Sequence, residues 1–343
     1  MKFYDTHSYK DPKCDHLSPD VTLYHINDKP DGDHITDFSR MEMFVELKPS
    51  TDQDPFCDPS PSQQRNTDNP YPFENDSDAG CHSRGQLASY LAALANCQFR
   101  THAFCVFICG RFARFIRWNP SGAVVSARFD YTIGNTLSEF FWRYSHLPRH
   151  SRGYDNSVVP TTLEETKQIG YDLQAELKRN NNEYHRTFFK MMVPARNDPS
   201  VEHPHIISYP PTYQRQSTFG RTTRAMIAVD VETQKLVFVK AYWRANVDDM
   251  EKEGEIYATL EGHQVPHIAP FGHGNDVRDI STLTQMFLKA SWSSGSKKLV
   301  QFACYRMSLK VIGTPLYNFS CSKEFVQGIA DAMTGIFSVI FDF

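Results

Sequence analysis

Three absences bound this 343-residue chain before any motif is read. No apolar run approaches the length of a membrane span and no basic-then-apolar leader stands at Met1, so neither a bilayer nor the secretory route is expected. No CxxC pair occurs among the eight cysteines, and Cys105 and Cys109 fall within the apolar run from Ala103 to Cys109. Buried thiols in a reducing compartment, cytoplasmic or nuclear, are expected. Nor does one charge dominate: a formal net charge of −4 gives no general reason to seek nucleic acid or an anionic membrane as partner. What the chain does have is 40% apolar and 13% aromatic residues, enough for one or two cores, and a length that suggests two domains.

The first 145 residues read as an α/β module. Val21 to Tyr24 and Met41 to Leu47 have strand character, the second with Met41, Met43, Val45 and Leu47 alternating against Glu42, Glu46 and Lys48. Thr51 to Ala79 is rich in Pro, Asp, Asn and Ser and reads as a long loop. A helix is expected from about Arg84, with Leu87, Leu91 and Leu94 as its buried stripe. Strands follow at His102 to Cys109, Ala113 to Trp118 and, after the turn Asn119 to Gly122, Ala123 to Phe129.

Residues 146 to 205 read as a Pro-rich connector holding one helix, with Thr162 and Glu165 as a capping box and Ile169, Leu173 and Leu177 as a stripe ending near Asn180 to Asn182. Residues 206 to 343 form the second module. Gly220, Thr222, Ala225 and Ile227 fall in the register of a phosphate-cradling GxGxxGxV loop, with Thr222 and Ala225 in glycine places. Val237 to Lys240 occupies a V-A-I-K position, and Glu253 follows on a helical stripe with Met250, Tyr257 and Leu260. Glu255 is turned about 200° away from Glu253 on a helix, so Glu253 is the better partner for Lys240. A strand over Arg306 to Lys310, a hinge at Val311 to Leu316 and a helix over Ser322 to Met333 complete the module.

The segments STFGRTTRAMIAVDVETQKLVFVKAYWR, EKEGEIYATLEGHQVPHI and LKVIGTPLYNFSCSKEFVQGIADAM, with RGQLASYLAALANCQFRTHAFCVFICGRFARFIRWNPSGAVVSARFDY upstream, resemble consecutive blocks of the fungal-type protein kinase family over roughly residues 17 to 334. The resemblance implies ATP-dependent phosphorylation of a protein substrate with Mg, a nucleotide held by Gly220, Thr222, Ala225, Ile227 and Lys240, and a Lys240–Glu253 pair. The chain departs from that pattern in three ways. Phe238 replaces the small residue above the adenine, no H-R-D or D-F-G follows the hinge, and Asp342-Phe343 comes too soon to be a metal-binding remnant. Without the Asp and Asn groups that bind metal and position the hydroxyl, phosphoryl transfer is not expected.

The first module carries a second constellation. Pro19-Asp20 before one strand, Glu46-Leu-Lys48 at the end of the next, and Gln86 to Tyr90 on the following helix resemble the PD-(D/E)xK nuclease-like fold, in an α+β mixed sheet. Such chemistry needs carboxylates to hold a divalent cation, here Asp20 and Glu46, and a lysine, here Lys48, to orient water. Two functions therefore compete with an inactive kinase-like fragment: a metal-dependent nuclease, the one reading that makes nucleic acid a partner, and a non-catalytic interaction module.

Overall fold

The computed structural model describes all residues except 29, 31–34, 61–70, 169–172, 174, 178–186, 215–216, 218, 291, 294–298 and 343. The chain is mixed α and β and divides into two compact units. Residues Met1–Asn156, Gln216–Thr222 and Ser281–Phe302 make the first; Ser157–Arg215, Thr223–Ile280 and Ala303–Phe343 make the second.

In the first unit, β1 (Lys2–Asp5), β2 (Val21–Tyr24), β3 (Met41–Lys48), β4 (Ala103–Cys109), β5 (Phe112–Asn119) and β6 (Gly122–Val125) lie in that order, with β7 (Phe129–Asp130) also on β5. All these neighbours are antiparallel except β3 and β4, which are parallel. A parallel pair needs a crossover. It is α1 (Asp78–Cys97), six residues longer at its start than expected, capped where the Ser77 hydroxyl accepts from the Gly80 N–H at 3.1 Å. Leu87, Leu91 and Leu94 are buried against Phe44, Tyr24 and Trp118, as their spacing implies. The expected single strand over Ala123–Phe129 is two, because β6 and β7 pair with different stretches of β5.

The alternation expected in β3 is broken. The register with β2 slips between Leu23 and Tyr24, so Met41 joins Phe44 in the cluster beneath α1 while Met43 and Val45 face α2 (Thr136–His146). Both faces of β3 are covered, and Glu42 and Glu46 are buried rather than solvated. Glu42 is paired with Arg152 at 2.9 Å.

The second unit holds β8 (Val158–Pro160), β9 (Thr187–Pro194), β10 (Glu202–Tyr209), β11 (Tyr213–Gln214), β12 (Arg224–Asp230), β13 (Lys235–Ala245), β14 (Phe271–Ser281) and β15 (Phe302–Leu309). Their order is β14-β15-β13-β12-β10-β9-β8, with β11 on β12. The connector expected over 146–205 is thus corrected. Its residues from Ser157 onward supply three strands, since β9 and β10 form an eight-pair hairpin and β10 continues onto β12. Its capping box is present before α3 (Leu163–Gln168), with Thr162 N–H to Glu165 at 2.8 Å and Glu165 N–H to Thr162 at 3.1 Å. Ile169 and the expected stop at Asn180–Asn182 lie outside the described residues. Asn275 on β14 donates to Ala195 O at 3.2 Å and Arg196 O at 2.7 Å in the β9–β10 turn. The helix α4 (Glu253–Gly262) packs on the sheet through Tyr257 and Phe271. No helix among the described residues is long and apolar enough to cross a membrane.

The helix α5 (Ser322–Asp342) runs nine residues past the expected end at Met333. It carries Val326, Ile329, Met333, Ile336 and Ile340 at helical spacing, all exposed, the last at 62%. An apolar stripe of this kind in water favours association. The chain is expected to self-associate with rising concentration, and the double change Ile336→Asp and Ile340→Asp to shift sedimentation toward monomer. An unaltered concentration dependence in that variant would remove α5 from the explanation.

Candidate functional site

The geometry of the first unit follows from register. Val21 pairs with Val45, so one step further Asp20 lies across from Glu46 on the face of β3 that also carries Phe44 and Lys48. That face is roofed by α1, on which Gln86 and Tyr90 are one turn apart. The side chains meet. Lys48 Nζ donates to Glu46 Oε1 at 2.7 Å and to Gln86 Oε1 at 2.7 Å. Gln86 Nε2 donates to the Tyr90 hydroxyl at 2.7 Å, which donates to Ser18 O at 3.0 Å. Asp20 accepts the Leu47 N–H at 2.8 Å, fixing its carboxylate beside the strand end.

The Glu46 carboxyl is 1% exposed and its Oε2 has no hydrogen-bond partner among the described residues. Burial pushes it up to about 7; Lys48 pulls in the other direction and the Asp20 charge adds to the rise. Desolvation therefore outweighs the ion pair. Burial, then the Glu46 charge, pushes the Tyr90 hydroxyl up to about 12, so it remains a hydrogen-bond donor. Two carboxylates, one lysine and one unsatisfied buried oxygen suit a divalent cation held through oxygen. Among the described residues no group of three or more His, Cys, Asp or Glu is gathered as a metal cage. Asp20 and Glu46 are the protein oxygens on offer.

In the second unit Lys240 on β13 reaches both oxygens of Glu253, at 2.7 and 2.8 Å. The pair is about three-quarters buried. Glu253 opens α4, whose first turn is seated by Gly254 N–H donating to the Tyr305 hydroxyl at 2.8 Å. Glu255 instead accepts the Lys252 N–H at 3.4 Å, so it is a capping group and not the lysine's partner.

Of the other expected nucleotide contacts, Ala225 lies directly across from Lys240 in the β12–β13 pair. Gly220 and Thr222 belong to the first unit, where Gly220 N–H donates to Pro120 O at 3.0 Å. Ala225 and Ile227, on β12 of the second unit, are core residues. Ile227 and its cross-strand partner Phe238 pack in one cluster with Leu173 and Leu177, both buried, and with Phe188 and Ile312. These apolar side chains lie on the sheet face that also carries Lys240. Asp342 is the last residue of α5, within a helix and not a metal-binding loop.

Sequence reasoning missed a buried polar centre in the first unit. Arg114 on β5 donates to both oxygens of Asp54 at 2.9 Å, to Asp58 at 2.7 and 3.1 Å, and to the Phe56 and Ser126 carbonyls. Only the buried position of Arg114, on a strand that also carries Arg117 and Asn119, could have flagged it. Of the cysteines, Cys14, Cys105, Cys109 and Cys304 are buried, but Cys81 and Cys321 are exposed, and none of the eight is in a disulfide.

No protein-family model, no curated protein and no solved structure matches the chain.

The raised Glu46 value carries a sign. Its folded value, about 7, lies above the ordinary 4.5, so the carboxyl contributes stability below about 4.5 that is lost as pH rises through about 7. Glu46→Gln mimics the protonated form. It is expected to match the parent in thermal melting at pH 5 and to exceed it at pH 8, by on the order of 1–3 kcal/mol. Equal stability at both pH values would show that Glu46 ionises normally in the fold.

Proposed function

We propose that the chain is a two-module relative of the fungal-type protein kinases whose chemistry resides in its first unit, a metal-dependent phosphodiester hydrolase of the PD-(D/E)xK kind. The observation that carries the reading is the convergence of Glu46, Lys48 and Gln86, with Asp20 across the strand pair. In this reading Asp20 and Glu46 would hold Mg, and the unpartnered Glu46 Oε2 is a position for such a ligand. A bound divalent cation supplies Lewis-acid polarisation of the phosphodiester and a lower pKa for coordinated water.

The protein's own groups do the rest. Lys48, anchored by Gln86, orients the attacking water and offsets the negative charge that develops at phosphorus. Gln86 holds Lys48 in place and Tyr90 holds Gln86, through a chain of donors that ends at Ser18 O. Glu46 must be ionised to bind a cation, and its value near 7 means that cation uptake releases protons below that pH. The substrate class is a nucleic-acid phosphodiester, so nucleic acid is the partner.

The second unit is read as a non-catalytic kinase-like lobe. What supports this is the Lys240–Glu253 pair on a face packed by Leu173 and Leu177. Its role is to bind a protein partner and not to transfer phosphate.

The test is cleavage of fluorescent single- and double-stranded DNA and RNA with Mg or Mn. Metal-dependent cleavage is expected, reduced roughly 100-fold or more in Lys48→Ala and Glu46→Gln, and unchanged in Lys240→Ala. No cleavage by the folded parent under any of these conditions sinks the hydrolytic reading. Labelled ATP is expected to give no transfer to generic protein substrates, and transfer that disappears in Lys240→Ala would overturn the non-catalytic reading of the second unit.

A further inference from the structure

Two thiols of the first unit meet although 83 positions separate them in the chain: Cys14 Sγ and Cys97 Sγ lie 3.2 Å apart. Cys14 stands in the connection from β1 to β2, and Cys97 ends α1. Cys14 is 9% exposed; Cys97 packs against the same apolar cluster but keeps part of its surface in solvent. The connection is folded on itself around Cys14, with Asp11 N–H donating to Leu17 O and Leu17 N–H to Cys14 O, both at 2.9 Å.

A shared anchor holds the two stretches together. The buried Asp11 carboxylate accepts the Lys13 N–H at 2.8 Å and the Phe38 N–H at 2.9 Å. Gln98, next after Cys97, donates from Nε2 to Phe38 O at 2.6 Å and to Met41 O at 2.8 Å. Phe38, itself buried, thus fixes the Cys14 turn through its N–H and the end of α1 through its carbonyl, so the two backbones separate only if a buried hydrogen bond breaks. A covalent S–S bond of about 2.05 Å needs about 1 Å of further approach. The same two elements build the Glu46 cluster. The connection continues through Ser18, whose carbonyl accepts the Tyr90 hydroxyl, to Asp20. Gln86, Tyr90 and Cys97 fall within about 40° of one another around α1.

We propose that Cys14 and Cys97 are a reversible dithiol–disulfide pair, closed by a small external disulfide, whose closure ties the β1–β2 connection to the end of α1. Cys97, the more exposed sulfur, loses its proton and attacks one sulfur of the reagent; the reagent's S–S bond breaks, and its first half leaves as a thiol carrying that proton. Cys14 then gives up its proton and attacks Cys97 Sγ in the mixed disulfide, which forms the internal bond and releases the second half as a thiol. Two electrons pass from the pair to the reagent, and two protons end on the released thiols. The hydrogen bond with Cys97, and then burial, hold the Cys14 thiol above its ordinary range, so Cys14 resolves and does not initiate, and closure takes minutes to hours. Such a pair stays open in the reducing compartment that the composition implies and closes on an oxidising excursion.

The experiment incubates the folded full chain with oxidised glutathione, alkylates the remaining thiols and maps the peptides without reduction. A peptide carrying Cys14 joined to one carrying Cys97 is expected, together with a rise of roughly 5–10 °C in melting temperature that a reducing agent reverses. Cys97→Ser, a change at a partly exposed position, is expected to lose both effects, and Cys14→Ser repeats the test from the buried side. The double change Cys81→Ser and Cys321→Ser, which removes the two exposed thiols, is expected to keep both. The proposal is overturned if no Cys14–Cys97 peptide forms while the chain stays folded, or if either cysteine is found joined to a different one instead. It is overturned equally if the bond forms without raising the melting temperature, or if the rise survives in Cys97→Ser.

Discussion

The first unit depends on a single constraint, that β3 is buried on both faces while carrying Glu42, Glu46 and Lys48. A central strand reads most simply as a continuous apolar run, because unpaired charge beneath a helix is expensive. Each charge therefore has at least one partner. Glu42 meets Arg152 and the Tyr144 hydroxyl, and Lys48 meets Glu46 and Gln86. The same solution recurs on β5, where Arg114 is held by Asp54 and Asp58. Such pairs fix register more than they add stability, since sliding β3 by one residue would bury every charge without its partner.

Much of this was legible in the sequence, and the reasons are local. Val21–Tyr24, the body of β3 and the Leu87–Leu91–Leu94 stripe have clear periods, and the pairings of Glu46 with Lys48 and Gln86 with Tyr90 are spacings of two and four that any strand or helix would honour. Lys240 and Glu253 were legible for a similar reason, because helical phase separates Glu253 from Glu255. What failed was non-local. The slip at Tyr24 that moves Met41 to the α1 side is set by pairing with β2 and leaves no mark in composition. Prolines at 194, 199, 204 and 210 suggested a connector, yet Pro194 ends β9 and Pro204 sits within β10, opposite Met192. Gly220 and Thr222 group with the first unit, whereas Ala225, read in the same loop, pairs with Lys240 on the second sheet.

Lys240 and Glu253 illustrate how little an ion pair says by itself. A bidentate contact about three-quarters buried ties β13 to the start of α4 and is sufficient reason for both residues to be charged. Phosphoryl transfer needs that lysine to face phosphates, with metal-binding groups opposite. Here the neighbouring face is packed by Leu173, Leu177 and Ile227, whose burial stabilises the sheet as it fills the space.

Glu46 presents the opposite balance. Its contact with Lys48 does not offset its burial, as the rise to about 7 records, and Oε2 is left without a partner. Had the position been only structural, an apolar residue of similar volume under α1 would remove that cost, and Lys48 could reach solvent, as lysines do. A fold that keeps an under-satisfied carboxylate beside a lysine, an aspartate and an anchored glutamine holds a local excess of negative potential on one oxygen. A proton, a hydrogen-bond donor or a cation at that oxygen relieves it without rearranging the strand. That asymmetry separates this cluster from Arg114 with its two aspartates, where charge is closed upon itself, and from Glu42, whose carboxylate is paired with Arg152, and it is why the hydrolytic reading is attached to Glu46 and not to them.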